Sequence, residues 1–434
     1  MNIFLSNLIF SLSEILKSRK INHKIRYLDD YYKLSYQVRK IQNKKNLINI
    51  IDFAINNVPY YIDVSKKINF DIRKFKKDIR YLDDFPFLTK NIIREQHTRL
   101  LAKNHKKIKK MVSKTGGSTG PSCNIYYDNS ARDFSSAVTF FCRGKVTNSF
   151  LPSNLHISSN LAPTDNFIEK NKEFTEKLKN FVLNRHDFKY KSLNDSTYYN
   201  LYSLLLKYKF KIIHSHPSIM YAFINYLKKN ELSIKNNFDL FEPSGEVLES
   251  YMQKKITRNT NCQIKNRYGL AEFGIVAYQL YDSAFDKLFL LDSEVYPENI
   301  DQEIVFSGLR NYLMPLIRYK TGDLGTLKEN KQKGFYLSKL KGRVHDIFSV
   351  GAKIYFTGYI MDILDHKIGN IKEFQIDLRK SKAQLKIIPE PEVNINDQRE
   401  KIKHYFKNDF NVVYCDFSDL IRVGNQNKFR HLIT

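Results

Sequence analysis

Apolar residues recur at helical spacing through the first hundred positions and at strand spacing in much of the remaining chain. Ile3, Leu5, Leu8, Ile9, Leu12, Ile15 and Leu16 fall on one side of a helix over residues 3–16. Helical patterns run through 29–42 and 45–56, and Pro59 breaks the second, since its ring does not continue a helix easily. The run 85–90 is a further break, and 91–101 a further helix, so residues 1–105 read as a mostly helical part. Strands are expected at 109–112 and 123–127, then a helix over 130–145 with Ala131, Phe134, Ala137, Val138 and Phe141 on one side.

A second rhythm begins after residue 195, beyond a stretch of strand and loop over 146–165. Helix 196–208, strand 211–214, helix 217–230 and strand 238–242 alternate. The turn Ser244-Gly245-Glu246 comes next, then helix 248–257, strand 263–267 and the stretch Tyr268-Gly269-Leu270-Ala271-Glu272. Such alternation predicts a layered α/β fold with a mainly parallel sheet. Ligands in such sheets sit in loops at the carboxyl ends of strands, where both turns are expected. Short strands at 287–291, 303–306, 316–319, 325–327 and 335–337 predict a twisted antiparallel sheet or small barrel. The remainder reads as a compact α+β unit, with strands at 347–350, 374–378, 384–388 and 412–417 and helices at 360–368 and 396–406.

Length and composition narrow this picture little. The 434 residues suffice for two or three domains, and 42% hydrophobic content suffices for a large core. Four scattered cysteines with no CxxC pair suggest neither a zinc site nor a disulfide framework, and fit a reducing cytoplasm. The net charge of +26 admits a polyanionic partner, but the lysines are spread evenly, as compositional bias would spread them. The basic runs 17–26 and 103–110 are short and lack the interleaved aromatics of a nucleic-acid groove, so no specific nucleic-acid partner is expected. The first apolar stretch is too short to span a bilayer. Docking on the body of the protein is expected for it; the second reading is attachment to the inner membrane surface, aided by Lys17, Arg19 and Lys20.

Candidate chemistry starts at Ser113-Lys114-Thr115-Gly116-Gly117-Ser118-Thr119-Gly120-Pro121. Glycines let backbone N–H groups approach a phosphate closely, and the hydroxyls and Lys114 add donors. Taken alone, the stretch also suits a flexible hairpin turn. It is not a Walker A loop, since the Gly-Lys-Ser/Thr ending is missing. Four more stretches come after it in order: Ser244-Gly245-Glu246, Tyr268–Glu272, Tyr319-Lys320-Thr321-Gly322-Asp323 and Gly342-Arg343-Val344-His345-Asp346. A last one is Gly424-Asn425-Gln426-Asn427-Lys428-Phe429-Arg430.

In this order and spacing they resemble the adenylate-forming enzymes: acyl-coenzyme A ligases, luciferases and peptide-synthetase adenylation domains. The branch they resemble is the phenylacetate–coenzyme A ligase-like group, which includes the CapK-type proteins of capsule polysaccharide biosynthesis. Asn57-Val58-Pro59-Tyr60-Tyr61, His216-Pro217-Ser218 and the segment from Asn311 to Asp323 carry that second likeness. The resemblance runs from about residue 57 to the end. It implies a large domain over 1–344, built of layered parallel-rich sheets plus a small antiparallel sheet, and a small mobile α+β domain over 345–434, hinged at His345.

The implied reaction joins a small carboxylic acid to the α-phosphate of ATP, releasing pyrophosphate, and then passes the acyl group to an acceptor. By the same resemblance Ser113, Lys114, Thr115, Gly116, Gly117, Ser118, Thr119 and Gly120 wrap the outer phosphates. Glu272 helps hold Mg²⁺, a hard cation that uses few carboxylates together with phosphate oxygens; a helix N-terminal acid is the plainer reading. Tyr268 and Gly269 meet adenine, and Ser244, Gly245 and Glu246 line the same pocket. Asp323 accepts from the ribose hydroxyls, and Arg343 meets ribose or phosphate. Lys428 bridges the acid and the α-phosphate, unless it is an ordinary tail lysine. His214 and His216 are expected near the acyl pocket, with a satisfied core histidine as the alternative for at least one.

The sequence departs from the family where Gly120 meets Pro121 directly, where His345 takes the hinge position, and where Gln426-Asn427 precede Lys428. Three functions stay open: acyl transfer in surface polysaccharide biosynthesis, with a sugar or polysaccharide precursor as acceptor; an acyl–coenzyme A ligase; and a non-catalytic basic binding protein on the same scaffold.

Overall fold

A computed structural model of the chain describes residues 3–114, 123–159, 176–190, 194–281, 284–341, 347–390, 392–416, 419–423, 428–429 and 431–434. The helical part begins with α1 (Ile3–Leu16), α2 (Ile21–Lys33) and α3 (Tyr36–Asn57). The break between the long helices thus falls at Leu34-Ser35, not at 43–44, because Ser35 caps α3 by accepting the Val38 N–H. Pro59 opens α4 (Pro59–Lys67), at the first helical position, where its missing N–H costs nothing. Asp71 caps α5 (Ile72–Lys77) and Thr89 caps α6 (Lys90–Gln96). The helix expected over 91–101 stops at His97, whose φ of +39° cannot continue it, and finishes as a 3₁₀ turn. Docking of α1 is half realised. Phe10 packs edge-on against Phe140 at 5.3 Å, while Leu8, Leu12, Ile15 and Leu16 face outward.

Strands β1 (Met111–Lys114) and β2 (Asn124–Tyr127) pair antiparallel, with Ser113 opposite Ile125 and Lys114 opposite Asn124. The Ser/Gly/Thr stretch therefore starts from the end of one hairpin strand and returns into the other. Asp128 caps α7 (Asn129–Thr147) through the Ala131 N–H at 2.7 Å.

The alternating part forms β3 (Asn154–Ser159), β4 (Arg185–Tyr190), α8 (Asp195–Lys207), β5 (Phe210–Ser215), α9 (Pro217–Lys229), β6 (Phe238–Pro243), α10 (Ser250–Thr260) and β7 (Gln263–Ile264). The five strands are parallel in the order β4-β3-β5-β6-β7. Leu155, Ile213 and Phe241 on one sheet face meet Tyr198, Phe223 and Ile256 of the helices. Burying each such side chain stabilises the fold by about 1.5–3 kcal/mol.

The next sheet is larger than expected. Strands β8 (Arg267–Leu270), β9 (Gly274–Tyr278), β10 (Leu288–Leu290), β11 (Val295–Ile300), β12 (Glu303–Gly308), β13 (Tyr319–Asn330) and β14 (Gly334–Lys341) pair antiparallel, in the order β11-β12-β13-β14-β10-β9-β8. The expected strand 263–267 ends at Ile264, and Tyr268-Gly269-Leu270 is an edge strand of this second sheet instead of a loop beyond the first. The strand expected at 325–327 and Tyr319, the end of that expected at 316–319, lie in the single β13, because Gly322 and Gly325 sit within it. Arg318 stays outside at φ +49°, held by Glu298 and by the Phe85 carbonyl at 2.6 Å.

The C-terminal unit has its own apolar cluster, including Ile360, Ile376, Leu385, Ile402 and Phe406. It comprises β15 (Ile347–Val350), β16 (Lys353–Phe356), α11 (Thr357–Ile363) with a π turn to Ile368, β17 (Ile371–Asp377), β18 (Gln384–Pro389), α12 (Ile395–Phe406), β19 (Asn411–Tyr414), β20 (Arg422–Val423), β21 (Lys428–Phe429) and β22 (Leu432–Ile433). Its main sheet runs β19-β18-β17-β22. The expected boundary at 344/345 lies outside the described residues. No helix among the described residues is long and apolar enough to cross a membrane.

Candidate functional site

A cleft of about 670 Å³, part of it open to solvent, gathers Gly245, Glu246, Tyr268, Gly269 and Asp323. Each arrives by a different local device. The turn after β6 is tied back when the Ser244 N–H donates to the Ser215 carbonyl at 3.1 Å. Gly245 has φ +82°, and a Cβ there would meet His216 Cε1 at 2.5 Å, so only glycine fits. The Glu246 carboxylate accepts from the Ser218 N–H at 3.1 Å and the Ser218 hydroxyl at 2.8 Å. It thereby stabilises the N-terminus of α9. Ser244 is not among the lining residues; its hydroxyl accepts from Arg267 at 3.0 Å.

The Tyr268 hydroxyl donates to Asp323 Oδ2 at 2.6 Å. These residues stand on β8 and β13, four strands apart in the sheet order. In a flat sheet that separation would be about 19 Å. The sheet is therefore strongly curled, which is the barrel-like character the short strands suggested. Thr321 fixes Asp323 by accepting its N–H at 3.1 Å.

A second cleft of about 640 Å³ adjoins the first, and Leu270 lines both. Ser113, Tyr127, Ser135, Ala271 and Gly274 line it. Tyr127 and Ser135 also line a smaller cavity that contains Glu272 and Arg310. Glu272 is 5% exposed and accepts from the Tyr319 hydroxyl at 2.5 Å. Gly274, at φ +76°, lies so near α7 that a Cβ would sit 2.6 Å from Ser135 Oγ.

The remaining expected residues are less defined. Lys114 ends β1, and Lys428 lies in β21 opposite Val423. Thr115, Gly116, Gly117, Ser118, Thr119, Gly120, Arg343 and His345 lie outside the described residues. His214 and His216 line neither cleft. His216 is the N-cap of α9. His214 donates from Nδ1 to the Glu242 carbonyl at 2.9 Å and accepts at Nε2 from Arg267 at 2.9 Å. Among the described residues no group of three His, Cys, Asp or Glu could hold a metal ion.

Sequence reasoning missed the network behind the first cleft. Alternation along the parallel strands puts His156, His214 and Glu242 on the face opposite Leu155, Ile213 and Phe241. Register then aligns Asp187, His156, His214 and Glu242 in one row across β4, β3, β5 and β6. The two imidazoles stack at 5.1 Å. Glu242 is fully buried, 2.7 Å from Arg143 and 3.4 Å from Arg267, and accepts from the Tyr278 hydroxyl at 2.9 Å. Burial opposes its ionisation, but Arg143 and Arg267 outweigh it and hold the carboxyl below the usual range. Burial, then Arg267, pushes His214 well below the ordinary imidazole value, so it is neutral and can accept from Arg267. Arg267 thus ties the row to Ser244 at the cleft. The available signal was a glutamate in a strand otherwise buried at nearly every position, where a carboxylate requires buried cations.

No family model matches the sequence. The chain is similar to protein CapK of Staphylococcus aureus, 22% identical over an alignment of 357 residues that covers 79% of this chain and 77% of CapK. It is similar to indoleacetate–lysine synthetase of Pseudomonas savastanoi, 26% identical over 183 residues, which span 42% of this chain and 45% of that protein. Among solved structures it matches 2-hydroxyisobutyryl-CoA ligase in the thioesterification state, in complex with 2-HIB-AMP and CoA. The TM-score is 0.59 at 14% identity, covering 93% of this chain and 91% of that one. The same ligase in its postadenylation state gives a TM-score of 0.57 at 15% identity, with the same coverage. At these identities the structural likeness is one of fold.

Proposed function

Because the chain has the fold of the adenylate-forming ligases, we propose that it activates a carboxylic acid with ATP and hands the acyl group to an acceptor in surface polysaccharide biosynthesis. The observation that carries the first half is the meeting of Gly245, Tyr268 and Asp323 around one cleft, beside a second bordered by Ser113. The first cleft would take the nucleoside. Tyr268 offers a ring face to adenine, and Asp323 offers a carboxylate that can accept from ribose. The hairpin that starts at Ser113 would hold the outer phosphates.

Glu272 is a buried carboxylate with no group of three possible ligands around it among the described residues, which suits a Mg²⁺ ion carried in on phosphate oxygens better than an all-protein cage. Bound there, the ion would neutralise phosphate charge. Lys428 would bring a point charge to the acid and the α-phosphate, and closure of the C-terminal unit over the clefts would exclude water. Arg343 would meet ribose or phosphate, and His345 would mark the hinge.

The polysaccharide setting rests on the likeness to CapK. A second reading, transfer to coenzyme A, is favoured by the CoA bound in the structurally similar ligase. Carboxylate-dependent pyrophosphate exchange over a panel of acids tests the activation step, and coenzyme A and sugar acceptors added afterwards separate the two readings. Lys428→Ala is expected to lower exchange at least about 100-fold while ATP binding persists, the scale of a lost transition-state contact. Unchanged exchange removes Lys428 from the mechanism, and no exchange with any acid removes the activity.

A further inference from the structure

The second cleft carries a cation whose chemistry remains unused. Arg132 stands on α7, half-buried, and lines the cleft with Ser113, Ser135, Ser136 and Gly274. Its guanidinium has no hydrogen-bond or ion-pair partner among the described residues. Asp133, the adjacent acid, is already committed, paired with Arg19 and accepting the Lys20 N–H at 2.7 Å. None of the described residues that line this cleft is a carboxylate. Burial, and then the positive charge of Arg19, act against the charge of Arg132, a cost that a bound anion would relieve.

The geometry has a direction. Leu270 separates this cleft from the one holding Tyr268 and Asp323. If the nucleoside takes the first cleft and the turn beyond Ser113 takes the outer phosphates, as proposed above, the second cleft is left for the acid, which would present its reacting carboxylate near Leu270 and extend the rest of itself toward Arg132. Met111 and Val112 give that space an apolar wall, and the Ser135 and Ser136 hydroxyls stand one helical turn from Arg132. We infer that the acid carries a second anionic group, a dicarboxylate in the simplest case, and that Arg132 receives it. A planar guanidinium matches a carboxylate with two parallel hydrogen bonds, which fixes the length and orientation of the acid as well as its charge.

The inference rests on the adenylation reading, and one experiment separates the two. Pyrophosphate exchange is measured with matched pairs, glutarate against valerate, succinate against butyrate and phthalate against benzoate, using the full-length protein and its Arg132→Leu and Arg132→Lys variants. A charge-assisted hydrogen bond predicts a diacid-to-monoacid ratio of kcat/KM about 10- to 100-fold higher in the parent than in Arg132→Leu, with partial recovery in Arg132→Lys. A purely structural role would lower both members of a pair together and leave the ratio unmoved. Exchange with no acid overturns the adenylation reading and this inference with it. Exchange that treats each pair equally in the parent overturns this inference alone. A raised KM for ATP with the ratio preserved also overturns it, and assigns Arg132 to the triphosphate.

Discussion

Glu242, behind the first cleft, and Asp292, under the N-terminal helices, are both removed from water yet are driven in opposite directions. Glu242 has two guanidiniums within 3.4 Å, and its carboxyl falls below the usual range despite complete burial. Asp292 has one guanidinium, that of Arg39 at 3.0 Å, and burial still pushes it up to about 6. Its neighbour Glu294, with Arg310 at 3.5 Å, is raised in the same way. At an effective dielectric near 20, a cation at close range returns about 4 kcal/mol, while removing a carboxylate from water costs several. One partner roughly meets that cost, and two exceed it. Burial alone therefore does not set the sign; the number of opposing charges at hydrogen-bond distance does.

The comparison can be broken most directly at Glu242. Glu242→Gln leaves Arg143 and Arg267 facing each other without their counter-charge, and a loss of about 3–5 kcal/mol is expected in denaturant unfolding at pH 7. A loss below about 1 kcal/mol would mean that the arginines find other partners. The next effect is one of pH. Because the folded pKa of Asp292 is raised, its contribution is complete below the unfolded value of 3.8 and is lost as pH rises through about 6. That loss amounts to about 3 kcal/mol. Glu242, depressed, contributes above its unfolded pKa and loses that contribution as pH falls. Asp292→Asn should therefore flatten the decline in stability between pH 4 and pH 6, read by unfolding at each pH; an unaltered decline would place its origin elsewhere. The smallest effect is expected at Tyr278. Tyr278→Phe removes a neutral donor from Glu242 and should cost about 1 kcal/mol. A cost as large as that of Glu242→Gln would show that the hydroxyl matters as much as a full charge.

Local chemistry explains which parts of this architecture could be read in advance. The alternation from residue 196 onward was legible because each parallel strand and its covering helix change hydrophobic period at a turn. The helix boundary near residue 34 was not, since apolar spacing runs on through Leu34 and only the hydroxyl of Ser35 marks the stop. Strand β8 was read as the end of the first sheet and the loop beyond it because only Lys265-Asn266 separate it from β7, with no glycine or proline to signal the change. Gly322 falls in the gap between the strands expected at 316–319 and 325–327, yet it lies within a continuous strand. The turn at Gly245 and the Tyr268–Asp323 pair were visible as motifs because each needs particular residue types in a short span. Glu242 and Arg132 carry no such local mark. The partners of Glu242 lie 99 residues before it and 25 after it, and the cleft at Arg132 exists only once β1, α7 and β9 have met.

The bonds of the N-terminal helices bear on how the chain is made. Arg39 meets Asp292 across 253 residues, Asn43 meets Val295 across 252, and Tyr36 meets Glu329 across 293. A ribosome adding about 5–20 residues per second needs roughly 10–60 s to cover such a distance. This segment thus leaves the ribosome long before its polar partners do. Until then it presents helices whose burying surface does not yet exist, and a nascent-chain chaperone would have that interval in which to hold them.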